Sequence, residues 1–135
     1  MSKLLEKELV YEIVGYAMKV HSGIGPGLRE KTYERGLCVE FGHGELSFED
    51  QKEFPVHYRG ELIDKYVPDL IVAGKIIVEV KTVESILDEH RGQLLNYLRI
   101  TGLKVGLILN FKPMKLQWER LVFDTAREST TANNR

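Results

Sequence analysis

Val67-Pro68-Asp69-Leu70-Ile71-Val72-Ala73-Gly74-Lys75-Ile76-Ile77-Val78-Glu79-Val80-Lys81 holds two apolar runs on either side of Ala73-Gly74, and predicts two strands joined by a tight turn. Side chains alternate along a strand, so Ile77, Glu79 and Lys81 share one face while Ile76, Val78 and Val80 share the other. The apolar run 76–78 with Val80 marks a central strand, where charges are rarely buried without partners. Asp69 stands where a hairpin through Gly74 brings it beside Glu79. Two carboxylates about 4 Å apart, at an effective dielectric near 20, repel by roughly 4 kcal/mol, which calls for a shared proton or a bound cation. Hard oxygen ligands of this kind point to Mg²⁺ or Mn²⁺. An ion pair of Lys81 with Glu79 or Asp69 at the sheet end is the alternative that spacing alone leaves open.

Upstream, residues 62–72 form the strand before the turn, paired through Arg59-Gly60-Glu61 with a strand over 52–58, and residues 45–48 give a further short run. Before them come two helices. Leu5, Leu9, Ile13, Ala17 and Val20 recur at helical spacing over 4–20, and Tyr33, Leu37, Cys38 and Phe41 do so over 28–41; Gly23-Ile24-Gly25-Pro26-Gly27 breaks the chain between them. Downstream of the strand 75–83, Leu87, Leu94, Leu95 and Leu98 predict a helix over 86–101. A strand buried on both faces follows over 104–111, then an edge strand over 115–123. Strands followed by a helix and another buried strand imply an α/β fold, one α+β mixed sheet covered by helices, with a right-handed crossover from 75–83 to 104–111.

A chain of 135 residues suits a single domain, expected over 1–125, with the polar residues 126–135 expected to be a disordered tail. Charged residues interrupt the first twenty positions, so neither a signal peptide nor a membrane span is expected, and the reading is a soluble, cytoplasmic protein. The lone cysteine, Cys38, excludes an internal disulfide and reads as a core thiol. The net charge of −1 does not announce a polyanion-binding protein, but its distribution is uneven: −3 over 1–50, −3 over 51–90 and +5 over 91–135. That pattern fits a metal site beside a phosphate-binding surface, and equally fits solvated faces.

Pro68-Asp69, a turn, and Glu79-Val80-Lys81 resemble the signature of the PD-(D/E)XK nuclease superfamily: an Asp, a spacer and Glu-x-Lys. Gly27, Glu30 and Tyr33 in His21-Ser22-Gly23-Ile24-Gly25-Pro26-Gly27-Leu28-Arg29-Glu30-Lys31-Thr32-Tyr33-Glu34 are similar to the pattern of the prokaryotic GxxExxY family within it. His90-Arg91-Gly92-Gln93-Leu94-Leu95-Asn96-Tyr97-Leu98 and residues 102–111 are similar to later blocks of that family, so the resemblance runs from Leu9 to Phe123. Val80-Lys81-Thr82 departs slightly, standing where Leu-Lys-Ala is the family's form.

The resemblance implies a restriction endonuclease-like αβββαβ core and a metal-dependent phosphodiesterase that cuts nucleic acid, DNA ahead of RNA. Asp69, Glu79, the Val80 carbonyl and Glu30 would hold Mg²⁺ or Mn²⁺, Lys81 would orient or help deprotonate the attacking water, and Gln93 and Tyr97 would position water or phosphate. Glu30 reads equally as a first-turn carboxylate favoured by the helix dipole. His21, Glu34 and His90 form a possible additional site, against the reading of the histidines as hydrogen-bonded spacers or caps. Arg91, Arg99, Lys104, Lys112, Lys115 and Arg120 are the candidate phosphate contacts; Trp118 either stacks on a base or packs on the sheet edge. The modest charge suggests a homodimer or a partner protein. The rival readings are a nucleic-acid-binding or regulatory module with little or no turnover, and a structural protein whose ion pairs stabilise the sheet.

Overall fold

The computed structural model describes residues 6–124, so the expected tail over 126–135 lies outside the described residues. Two helices lead, α1 (Lys7–Ile24) and α2 (Glu30–His43). Strands β1 (Phe48–Glu49), β2 (Phe54–Tyr58), β3 (Glu61–Tyr66), β4 (Leu70–Val72) and β5 (Ile76–Lys81) follow, and α3 (Asp88–Thr101), β6 (Val105–Asn110) and β7 (Gln117–Val122) complete the order. A five-stranded sheet runs β1-β4-β5-β6-β7, parallel only between β5 and β6. This is the mixed sheet with helices that the sequence predicts, with α1 and α2 on one face and α3 on the other.

The alternation along β5 creates the two layers. Ile76, Val78 and Val80 join Val10, Ile13, Tyr33, Leu37 and Phe41 beneath α1 and α2, while Ile77 joins Leu94, Leu98 and Ile108 beneath α3. All six residues of β6 are buried, as a strand covered on both faces must be. Cys38 packs against the first layer half-buried, and burial pushes its thiol up. Among the described residues no helix is long and apolar enough to cross a membrane.

The segment 62–72 is not one strand. Residues 67–69 separate β3 from β4, and the two lie in different sheets: β3 pairs only with β2, outside the main sheet. Pro68, buried at this break, has no N–H to give a ladder. The first helix also outlasts its expected end; Gly23 lies inside α1, which stops at Gly25 with φ of 87°. The β2–β3 hairpin closes through two left-handed residues, Arg59-Gly60, as a two-residue turn that follows the strand twist requires, whereas Val72 faces Ile76 and the β4–β5 hairpin closes through three, left-handed Ala73-Gly74 and then Lys75.

Candidate active site

Strand β5 carries Glu79 into the middle of the sheet, between β4 and β6. Leu70 faces Val78 across the β4–β5 ladder, so the same register sets Asp69 opposite Glu79, as the Gly74 hairpin predicts. Asp69 Oδ2 accepts the Val80 N–H at 2.8 Å. Glu79 is only 9% exposed, and its Oε2 accepts the Tyr66 hydroxyl at 2.6 Å. The Tyr66 ring stacks on Tyr97 of α3 with centroids 3.7 Å apart and planes 18° from parallel.

These carboxylates resist ionisation. Burial, then the charge of Asp69, raises Glu79 to about 7, against the opposing pull of the Tyr66 hydrogen bond and Lys81. Asp69 is raised by burial and by Glu30, while the Val80 N–H, Lys81 and Lys31 work the other way. Lys81 lowers both, yet no ion pair within 4.0 Å joins it to either carboxylate, so the ion-pair alternative left open by spacing is not the arrangement found. Burial and then the charges of Glu79 and Asp69 also raise Tyr97.

The glycine loop and α2 frame the strand's end. Tyr33 stacks on Phe111 at 4.5 Å, donates to the Gly25 carbonyl at 2.6 Å and accepts the Leu28 N–H at 3.1 Å, tying the loop to the core. Gly27, with φ of 104°, lets that loop turn into α2. Glu30 then reaches the Thr82 N–H at 3.1 Å, one residue past Lys81. A cavity of about 170 Å³ lies beside it, lined by Gly27, Leu28, Thr82 and Lys112. Asn110, fully buried, accepts the Val83 N–H and donates to the Val83 carbonyl and to Gln117 Oε1, which in turn accepts the Ile86 N–H. The chain after Lys81 is therefore held from both sides.

The other nominated residues are dispersed. His21 contacts the Pro113 carbonyl through Nε2 at 2.9 Å, a hydrogen bond across the fold, and His90 Nδ1 accepts the Leu87 N–H at 2.9 Å, a cap on α3. Glu34 is buried, paired with Lys31 at 3.3 Å, and raised by burial and then by Asp69. These three have separate partners and are not one site. Gln93 stands exposed one turn before Tyr97. Trp118 packs edge-on against Tyr11 at 6.3 Å, the sheet-edge reading.

The six basic residues do not form one surface. Arg91 is consumed by Glu119, with Nε and Nη2 each 2.7 Å from a carboxylate oxygen, and by Asp88 at 2.6 Å. Arg120 is buried on the α1 side of the sheet, its charge disfavoured by burial. Arg99 lies over the Phe123 ring and Lys104 precedes β6, so both stand at the end of the sheet opposite Lys81. Lys112 and Lys115, both exposed, share the end with Lys81 and, unlike Arg91, are not spent on a buried carboxylate.

Among the described residues no group of three or more His, Cys, Asp or Glu side chains is placed to hold a metal ion. Glu30, which the resemblance implies as a ligand, accepts the Thr82 N–H and forms no such group with Asp69 and Glu79, although its charge acts on Asp69. What remains fits a hard cation: two adjacent carboxylates, Glu79 buried and Asp69 half-buried, each raised by burial and by a neighbouring carboxylate, Asp69 for Glu79 and Glu30 for Asp69. Tyr66, the residue that touches Glu79, has no role in the reading of the sequence; its only signal there is an aromatic hydroxyl just before Val67-Pro68-Asp69.

A family model described as the PD-(D/E)XK nuclease superfamily matches residues 7–121. No curated protein matches the sequence. Among solved structures, a protein titled SSO0001 is similar at 21% identity with a TM-score of 0.56, over 92% of this chain and 63% of that one. An alkaline exonuclease (LHK-Exo) from Laribacter hongkongensis is similar at 12% identity with a TM-score of 0.53, over 87% of this chain and 70% of that one. The chain thus spans less than two thirds of the SSO0001 chain, and at these identities the likeness is one of fold.

Proposed function

The chain belongs to the PD-(D/E)XK nuclease superfamily, and from that premise we propose that it is a metal-dependent phosphodiesterase cutting nucleic acid, DNA in preference to RNA. The observation that carries the reading is the pair of half-buried Asp69 and buried Glu79, with Lys81 beyond it on the Glu79 face and free of an ion pair to either. Asp69, Glu79 and the Val80 carbonyl would hold Mg²⁺ or Mn²⁺; such an ion supplies an acidified water and neutralises charge on the phosphate.

The chain's own groups do the rest. Lys81, half-buried beside the two carboxylates, orients the attacking water, draws on its proton and faces the charge that develops on phosphate oxygens. Tyr97 and the exposed Gln93, one turn apart on α3, position the phosphate. Glu30 acts indirectly: its bond to the Thr82 N–H fixes the strand end that presents Lys81. A homodimer or partner protein that adds positive surface completes the proposal, because a single chain of net charge −1 holds a polyanion weakly.

Cleavage of labelled single-stranded, duplex and branched DNA and of RNA, with Mg²⁺, Mn²⁺ or EDTA, tests this. The expected result is cleavage that requires the metal and is lost in Glu79→Gln and Lys81→Ala while both variants stay folded. Cleavage that survives either substitution or EDTA, or a folded wild type that cuts none of the four substrates, overturns the reading.

A further inference from the structure

Tyr66 lies at the end of β3, in the hairpin outside the main sheet, yet its hydroxyl reaches Glu79 on the central strand at 2.6 Å. The tip of that hairpin is open to solvent, with Tyr58 64%, Leu62 65% and Ile63 61% exposed, so the hairpin is not anchored there. Its anchor is the root, where Tyr66 pairs across to Phe54 and stacks on Tyr97 of α3. A tyrosine has two side-chain torsions, and the stack restrains both, so the phenol is a donor set in place before any ligand arrives. Glu79 has three torsions; the sheet fixes where its side chain starts, and the Asp69 backbone N–H also draws on its carboxylate, while Tyr66 is the side-chain donor.

We infer that Tyr66 is a positioning residue for Glu79, orienting its carboxylate for the divalent ion through the hydroxyl bond to Oε2 and the stack on Tyr97. The inference rests on the metal-site reading above and adds to it a donor outside the ligand set. Groups that hydrogen-bond a metal's carboxylate ligand fix its orientation, and removing one costs about 10- to 100-fold in metal affinity. Asp69 has the equivalent support from the Val80 N–H, which no side-chain substitution can remove. Tyr66 is therefore the adjustable half of the pair's support. It also couples the site to the hairpin, since displacing the root of β3 withdraws the donor from Glu79.

The test is calorimetric titration of the full chain with Mn²⁺ alone, without nucleic acid, comparing wild type with Tyr66→Phe and Tyr97→Leu. Tyr66→Phe keeps the ring and its stack but lacks the donor; Tyr97→Leu keeps the donor but removes the ring that holds it. Both are expected to bind Mn²⁺ more weakly, Tyr66→Phe by about 10- to 100-fold and Tyr97→Leu in the same direction. In a cleavage assay the half-saturating Mn²⁺ concentration rises with the rate at saturating Mn²⁺ retained in Tyr66→Phe, a split that a lesion of folding alone does not produce. Wild-type binding matched within twofold by either folded variant overturns the inference and leaves the metal site standing. A folded wild type that binds no Mn²⁺ overturns the metal-site reading and this inference with it.

Discussion

Glu79 is buried on a central strand beside a second carboxylate, and its raised proton affinity, up to about 7 from an ordinary 4.5, has a consequence for stability. Between those two pH values the metal-free folded protein keeps a proton on Glu79 that the unfolded chain has released. Raising the pH through this window therefore favours unfolding, and stability present below pH 4.5 is lost as pH approaches and passes 7. The loss from this residue is about 3 kcal/mol. Urea denaturation of metal-free protein at a series of pH values is expected to show the fall, made shallower in Glu79→Gln; equal slopes in the two proteins would remove Glu79 as its source. At pH 7, Mg²⁺ at about 100 times its dissociation constant should return roughly 2.7 kcal/mol to the wild type and nothing to Glu79→Gln. Asp69, Glu79 and Lys81 were legible because strand alternation and one short turn through Gly74 fix which side chains meet. Tyr66 was not, because its contact with Glu79 depends on how a separate hairpin folds back against α3, which no local periodicity encodes.

Elements were legible where periodicity was clean, as in α1, β5, α3 and β6. The continuous reading of 62–72 failed because β-branched and apolar residues run through both β3 and β4, and composition outweighed the missing N–H of Pro68. The clamp on residues 83–86 was hidden for a related reason: Asn110 closes an otherwise apolar strand, and its buried amide finds partners in Gln117 and in a loop 27 residues earlier. The seat of α3 depends on a glycine. A methyl group at Gly106 of β6 would lie 2.8–2.9 Å from three carbons of Leu94, a fully buried side chain without room to give. Gly106→Ala should cost about 1–3 kcal/mol in urea denaturation, as overpacking does. Because α3 carries Gln93 and Tyr97, cleavage should fall as well even below the denaturation range; a variant with unchanged midpoint and activity would show that α3 tolerates a shifted seat.

Across the whole molecule, charge read along the chain misleads about charge in space. The +5 of residues 91–135 fits a phosphate-binding surface as well as solvated faces, yet Arg91 is spent on Glu119 and Asp88, Arg120 is buried, and Arg99 and Lys104 sit at the far end of the sheet. Five residue steps of β6 separate that end from Lys81's, about 17 Å at 3.3 Å per step. A strand crossing the Asp69–Glu79 pair would meet Lys112 and Lys115 first. Each neutralised phosphate contact with duplex DNA changes the slope of log affinity against log salt by about 0.9. Lys112→Gln with Lys115→Gln is therefore expected to flatten that slope by between about 1 and 2, the lower figure arising because Lys112 already pairs with the exposed Glu84 at 3.1 Å and must trade that partner for a phosphate. Arg99→Gln with Lys104→Gln should leave the slope as it was. Binding in EDTA, over a salt series with Glu79→Gln as the common background, separates the two pairs from any effect on cleavage. If the far pair changes the slope as much as the near pair, the nucleic acid runs the length of the sheet and not across one end of it.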